Sequence, residues 1–315
     1  TVVAVSSVAG PSVAAAILSV TTWHWLFAVN LPVGLIAFTL SSCFLPQNPV
    51  KVEGRRFDWR SGVMCALTFG LVMACVEGYS HGMSLHVWFV LAAVAAVVAW
   101  RFVTDQLRKP MPILPFDLLR IPIFSLSIVT SICSFTAQML AMVSLPFILQ
   151  HSMGYDAVST GLIFTAWPMV IMVVAPLAGV LAERIHAGYL GLTGLLIMTF
   201  GLVMLGLLPS SPTDFDIIWR LVLCGMGFGL FQSPNNSIMI ASAPQHRSGS
   251  ASGMLATARL TGQTMGAALV AFFFHWHGGE TTMTPLFVAA AFAFFGAMLS
   301  ASRIHLPLPE GLRRK

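Results

Sequence analysis

Apolar residues in this chain come in long blocks, cut at regular intervals by short polar turns. Ten blocks are long enough to read as spanning helices: residues 1–20, 26–45, 61–78, 87–104, 123–149, 159–181, 189–208, 217–240, 250–274 and 284–302. An α-helix needs about 20 apolar residues to cross a bilayer core. The pattern therefore predicts an all-α, polytopic membrane protein with ten transmembrane helices. Two blocks carry unusual polar cargo. Residues 217–240 hold Arg220, Gln232, Asn235 and Asn236, and residues 251–274 hold Thr257, Arg259, Thr261, Gln263 and Thr264. Arg259 follows the turn at 243–250 by about ten residues, or ~15 Å along a helix axis, which is near mid-bilayer. An arginine there costs roughly 2.5–3.5 kcal/mol to insert, so it is expected to face the protein interior or a watery cavity. Two adjacent spans turning polar groups inward predict a solute path.

Charge sets the orientation. Of the 16 basic residues, 14 fall in alternate loops or the tail: Lys51, Arg55, Arg56, Arg60; Arg101, Arg108, Lys109, Arg120; Arg184; Arg247; and Arg303, Arg313, Arg314, Lys315. The intervening loops hold none. The positive-inside rule places the basic set and both termini in the cytoplasm, with a bacterial inner membrane as the expected location. The net charge of +5 is explained by this topology, so no nucleic-acid partner is expected. Composition agrees: 57% of residues are hydrophobic and 9% charged, against about 25% charged in soluble domains. Each of the five cysteines lies in an apolar block and none forms a CxxC pair, which argues against a disulfide framework or a metal site. No cofactor is expected. Residue 1 is Thr, with no charged segment before the first block; the chain reads as a C-terminal fragment of a longer protein.

Pro146, Pro168, Pro176 and Pro234 fall inside spans, where each removes a helical hydrogen bond and kinks or breaks the helix. Gly225 and Gly229, and Gly262 and Gly266, stand four apart, the spacing that lets helix backbones approach. Packing within this chain is the preferred reading over dimerisation. The oligomeric state stays open.

The first block and its exit read Gly10-Pro11-Ser-Val-Ala14-Ala15, then Trp23-His-Trp25-Leu-Phe27-Ala-Val-Asn30-Leu-Pro32-Val-Gly34. This resembles the antiporter motif of the major facilitator superfamily, most closely its fourteen-helix drug:proton antiporter branch (multidrug efflux). Phe57-Asp58 with Gly62 resembles the entry to that branch's two extra central helices. Gly179-Val-Leu-Ala-Glu183-Arg184 resembles the C-half copy of the cytoplasmic gating motif, and Ser250-Ala-Ser-Gly253, Arg259, Gly262 and Gly266 resemble a late helix-pair signature. Ala14 and Ala15 stand where the family favours glycine, and Glu183 where it favours aspartate. The resemblance implies that residues 1–45 are the last two helices of an N-terminal half. Residues 46–122 would be linkers and two extra helices, 123–302 a six-helix C-terminal half, and 303–315 a cytoplasmic tail. It also implies that the first four helices, with much of the coupling machinery, lie outside this chain.

The candidate transport and coupling residues are thus Arg259, Gln263, Asn235, Asn236, Gln232 and Gln138. For Arg259 a purely structural role, locking helices together, stands beside the functional one. The polar run 232–237 and Gln138 read either as cavity lining or as interhelical hydrogen bonding. Gly10, Pro11, Ala14 and Ala15 form the antiporter motif, and Glu183 and Arg184 are gating candidates. Arg220, close to Asp214 and Asp216, reads as an arginine reaching for the interface. Glu77 reads as solvated at a helix end, and His275 and His277 beside Trp276 as interface residues. No HExxH or GxSxG pattern supports an intramembrane enzyme, and no filter-like loop supports a channel. The expected function is secondary active transport, as proton-coupled efflux of hydrophobic or cationic drugs. Export of a metabolite or siderophore is the alternative, as is a fragment inactive by itself. Expected partners are the lipid bilayer, a small-molecule substrate, protons and a periplasmic adaptor.

Overall fold

The computed structural model describes residues 13, 17, 21–22, 24–44, 58–80, 83–109, 116–209, 211–244, 247–276 and 282–306. Its helices are α1 (His24–Ala28), α2 (Asn30–Phe44), α3 (Trp59–Ser80), α4 (Leu85–Arg108), α5 (Pro122–Phe147), α6 (Ala157–Phe164), α7 (Ala166–Ala182), α8 (Ala187–Gly206), α9 (Asp214–Ser242), α10 (Ser248–Trp276) and α11 (Thr284–Ser302). A π-helical turn, Ile148–Ser152, extends α5, and short 3-10 turns cover Phe116–Arg120 and Arg303–His305. The protein is all-helical among the described residues, with a helix at each predicted block after the first. Six helical stretches are long and apolar enough to cross a membrane: His24–Phe44, Leu85–Arg108, Pro122–Ser152, Ala157–Ala182, Ala187–Gly206 and Thr284–His305. That is fewer than the ten read from the sequence. Of the first block only residues 13 and 17 are described, and α3 counts as a shorter apolar helix over Trp59–Cys75. The polar residues singled out above dilute α9 and α10.

α5, α7, α8, α9, α10 and α11 form one bundle, with α8 central to the α9 and α11 contacts. Its core joins Leu140, Leu145, Leu149, Trp167, Leu195, Met198, Leu202 and Leu221, all buried. Glycine sets how closely these helices approach. A Cβ on Gly194 would stand 2.6 Å from Gly227 O, and one on Gly201 2.7 Å from Cys224 Sγ, so α8 and α9 touch backbone to backbone. Gly225 faces α7, where a Cβ would stand 2.6 Å from Trp167 O. The four-apart glycines thus pack inside the chain.

The prolines act unequally. Pro168 cannot donate to Phe164 O, and the helix is interrupted there, between α6 and α7 at Thr165. Pro146 precedes the wider π turn. Helices α7 and α9 run on through Pro176 and Pro234. Gly154, at φ 74°, then turns the chain into Asp156, whose carboxylate caps α6 by accepting from Val158 N and Ser159 N.

Candidate functional site

α10 buries Ala251, Met254, Ala258, Gly262, Gly266 and Val270, a stripe of roughly four-residue period turned towards the bundle. α5 receives its central part. A Cβ on Gly262 would stand 2.6 Å from Ile132 O, one on Gly266 2.7 Å from Thr136 O, and Thr136 Oγ1 donates to Gly262 O at 3.1 Å. This seam fixes the roll of α10, and with it the direction of Arg259. Arg259 is exposed, with Cζ 5.7 Å from the centroid of the Phe135 ring. The small residues, not the charge, take the face of α10 that packs against α5. No carboxylate pairs with Arg259 among the described residues.

Phe135 meets Phe228 of α9 edge-on at 5.4 Å, and Phe228 lies 6.4 Å from Phe231. An aromatic path therefore leads from Arg259 across α5 to the polar run of α9. Gln263, Gln138, Gln232 and Asn236 are all half-buried around these helices. Asn235, one position round from Asn236, is buried and belongs elsewhere. Glu183 and Arg184 are exposed at the C-terminus of α7, one turn beyond Gly179, where a Cβ would stand 3.3 Å from Ser233 Oγ of α9. Gly10, Pro11, Ala14 and Ala15 lie outside the described residues, as do His277 and the side chain of Glu77.

Among the described residues the deepest arginine is one that the sequence places in a tail. Arg303 is 1% exposed. Its Nη1 donates to Asn235 Oδ1 at 2.5 Å and Ser127 Oγ at 2.8 Å, and its Nη2 to Ser300 Oγ at 2.7 Å. Asn235 Nδ2 passes the network to Ser131 Oγ at 2.8 Å, and Ser300 Oγ donates to Gly188 O at 3.1 Å. Four helices, α5, α8, α9 and α11, meet here. His186 stands beside the junction and caps α8, its Nδ1 accepting from Gly188 N at 3.0 Å. Burial, with Arg303 nearby, lowers its pKa.

Ion pairs join other elements at the same end. Arg247, in the α9–α10 turn, forks onto Asp117 before α5, with Nη2 to Oδ1 at 3.1 Å, and these bonds lower the Asp117 pKa. Lys109 lies 2.7 Å from Asp58 and 2.5 Å from Asp105. Asp58 also accepts from Ser61 N at 3.1 Å, capping α3. Lys109 and then Ser61 hold its carboxyl down to about 2. At the opposite end Arg220 pairs with Asp216 at 3.4 Å and covers Trp219 at 4.5 Å, an arginine held close to its helix start.

A family model described as the Major Facilitator Superfamily matches residues 1–267. The chain is similar to an uncharacterized transporter, YebQ, of Escherichia coli strain K12, at 56% identity over 306 residues, 97% of this chain and 67% of that protein. It is also similar to the riboflavin transporter RibZ of Clostridioides difficile, at 25% over 273 residues, 87% of this chain and 59% of that protein. Similarity to the multidrug resistance protein Stp of Mycobacterium tuberculosis is 28% over 270 residues, 85% of this chain and 50% of that protein. The chain thus spans between about half and two thirds of these curated relatives. Apolar helices long enough for a bilayer, and a family match over most of their length, lead to one conclusion: the chain belongs to the Major Facilitator Superfamily of membrane transporters.

Proposed function

We propose that this chain is part of a proton-coupled exporter of hydrophobic or cationic drugs, in the fourteen-helix drug:proton branch of the superfamily. Arg259 carries the reading. It is a fixed cation near the middle of α10, turned away from its own bundle and resting on an aromatic path. A positive charge so placed favours the ionised form of any carboxylate brought against it. Binding or releasing a proton at that carboxylate would then respond to how closely the two approach. In this reading the carboxylate comes from the remainder of a longer transporter. Aromatic faces suit organic cations, and the half-buried Gln138, Gln232, Asn236 and Gln263 would line the path. Asn235 serves the Arg303 junction instead. Similarity to a multidrug resistance protein supports drugs as the cargo.

The same reading adds α3, α9, α10 and the block at 1–20 to the six apolar spans, making ten crossings. Arg259, Gln263, Gln232 and Asn236 would face the path, where no lipid need solvate them. The basic ends and both termini would be cytoplasmic in a bacterial inner membrane. Glu183 and Arg184 would gate the cytoplasmic side, and a periplasmic adaptor would be a further partner.

The test is drug efflux from proteoliposomes of the full-length protein under an imposed pH gradient. Arg259→Gln should insert and fold normally yet lose proton-driven efflux, and Arg259→Lys should keep part of it. Full efflux by Arg259→Gln would leave Arg259 a packing residue. A metabolite exporter is the second reading, supported by similarity to a riboflavin transporter. Flavin efflux in the same assay, without drug efflux, would select it.

A further inference from the structure

The α3–α4 hairpin meets the bundle differently at its two ends. Towards the basic end Phe102 of α4 is buried in one cluster with Leu118, Met254 and Ala258, and Met64 and Cys65 of α3 pack against it. Towards the other end α3, the start of α4 and α10 leave a cavity of about 460 Å³ between them. Its walls include Val72 and Met73 of α3, Trp88 of α4, and Met265, Ala268 and Phe272 of α10. That volume suits a small molecule.

The wall is almost wholly apolar, and two of its hydrogen-bonding side chains, Trp88 and Thr264, are already engaged. Trp88 Nε1 donates to Cys75 O at 2.9 Å, and Thr264 Oγ1 donates to Leu260 O at 2.9 Å and Thr261 O at 3.0 Å. An occupant therefore gains by hiding apolar surface, and a polar atom carried inside would lose its water without replacement. At the cavity's outer limit the wall continues into an aromatic rim. The Phe272 ring meets Trp276 edge-on at 5.2 Å, and Trp276, His275 and His86 are exposed there. Tryptophan at helix ends marks the headgroup level of a bilayer. An apolar slot below a headgroup-level rim has the layout of a single lipid tail.

We propose that this cavity holds one acyl chain of a phospholipid from the leaflet at the non-basic end. The head group sits level with Trp276, and the chain runs past Phe272 and Ala268 towards Met265. The lipid thereby fills the gap that the hairpin leaves against α10.

Native mass spectrometry of the full-length protein tests this. Wild type should retain a bound phospholipid that Ala268→Trp, which fills the cavity, has lost. Leu162→Trp, on the exposed face of α6, should retain it. A second measurement uses Cys75 as the sole cysteine, since it lines the same cavity. An apolar maleimide should label it slowly in phospholipid, faster after delipidation, and slowly again when phosphatidylethanolamine is restored. Equal lipid retention by both tryptophan variants, with labelling indifferent to phospholipid, would overturn the proposal. So would protection by tetraphenylphosphonium but not by phospholipid, which would make the cavity a substrate site. Protection that appears only in a dimer would assign it to a second copy.

Discussion

Arg303 is held by neutral partners, a carboxamide and two hydroxyls, and its Nε has no partner among the described residues. Losing an acceptor to a buried charged donor costs about 1.5–3 kcal/mol. Asn235→Leu should therefore lower the thermal unfolding midpoint in detergent. Adding Arg303→Met should restore part of the loss, because the stranded charge goes with it. If the two losses simply add, the contact contributes nothing. His186 gives a pH signature. Its cap requires an unprotonated Nδ1, and burial with Arg303 nearby lowers its pKa below the ordinary 6.5. The unfolded chain thus takes the proton first, so the stability is full above 6.5 and is lost as pH falls below it. His186→Asn keeps a cap acceptor without titrating. The unfolding midpoint should fall on acidification from about pH 7.5 to about pH 5.5 in wild type, and much less in this variant. Interhelical bonding by Asn235 was one of two readings of the run 232–237, but its arginine partner and the histidine cap were not legible beforehand. Arg303 follows a span at the basic end, as Arg184 and Arg247 do, and its burial depends on room left by Gly188 and Gly191 more than a hundred positions away.

Helix positions were legible because an apolar run and a bilayer thickness share one length. Helix neighbours were less so. The four-apart pairs pointed to close packing, yet Gly227, between Gly225 and Gly229, makes the tightest approach to α8. A Cβ on it would meet Gly194 O, and Met198 N at 2.5 Å. Gly227→Ala should force the helices apart and cost about 1–3 kcal/mol, as overpacking does, read as a lower unfolding midpoint. Gly253 has open space where its Cβ would go. Gly253→Ala should leave the midpoint unchanged or slightly raised. If both variants melt alike, the α8–α9 seam has more slack than this geometry allows. Arg259 belongs to the same lesson: its position along α10 could be counted from the turn, but its direction was set by Gly262 and Gly266 against α5.

Across the whole molecule, the alternation of basic and neutral loops predicts sidedness. Cysteines placed singly at Ile185, beyond α7, and at Ser211, before α9, should differ in a protein lacking its own cysteines. An impermeant thiol reagent outside intact cells should label Ser211→Cys and spare Ile185→Cys; the reverse would invert the orientation. The two ends also differ in how they are joined. The Arg303 junction and the Asp117–Arg247 and Asp58–Lys109 pairs all lie at the basic end. Among the described residues the other end is held by edge-on rings such as Phe147 with Phe274, by the Trp88–Cys75 hydrogen bond, and by Tyr155 Oη donating to Pro212 O at 3.0 Å. Mechanically this is a lever pinned at one end. α10 has 29 residues, or ~43 Å of length, so a tilt of about 5° at the pin swings its far tip by ~4 Å. Such a swing stretches ring contacts that can slide, while every charged pair at the pin stays within reach of its partner.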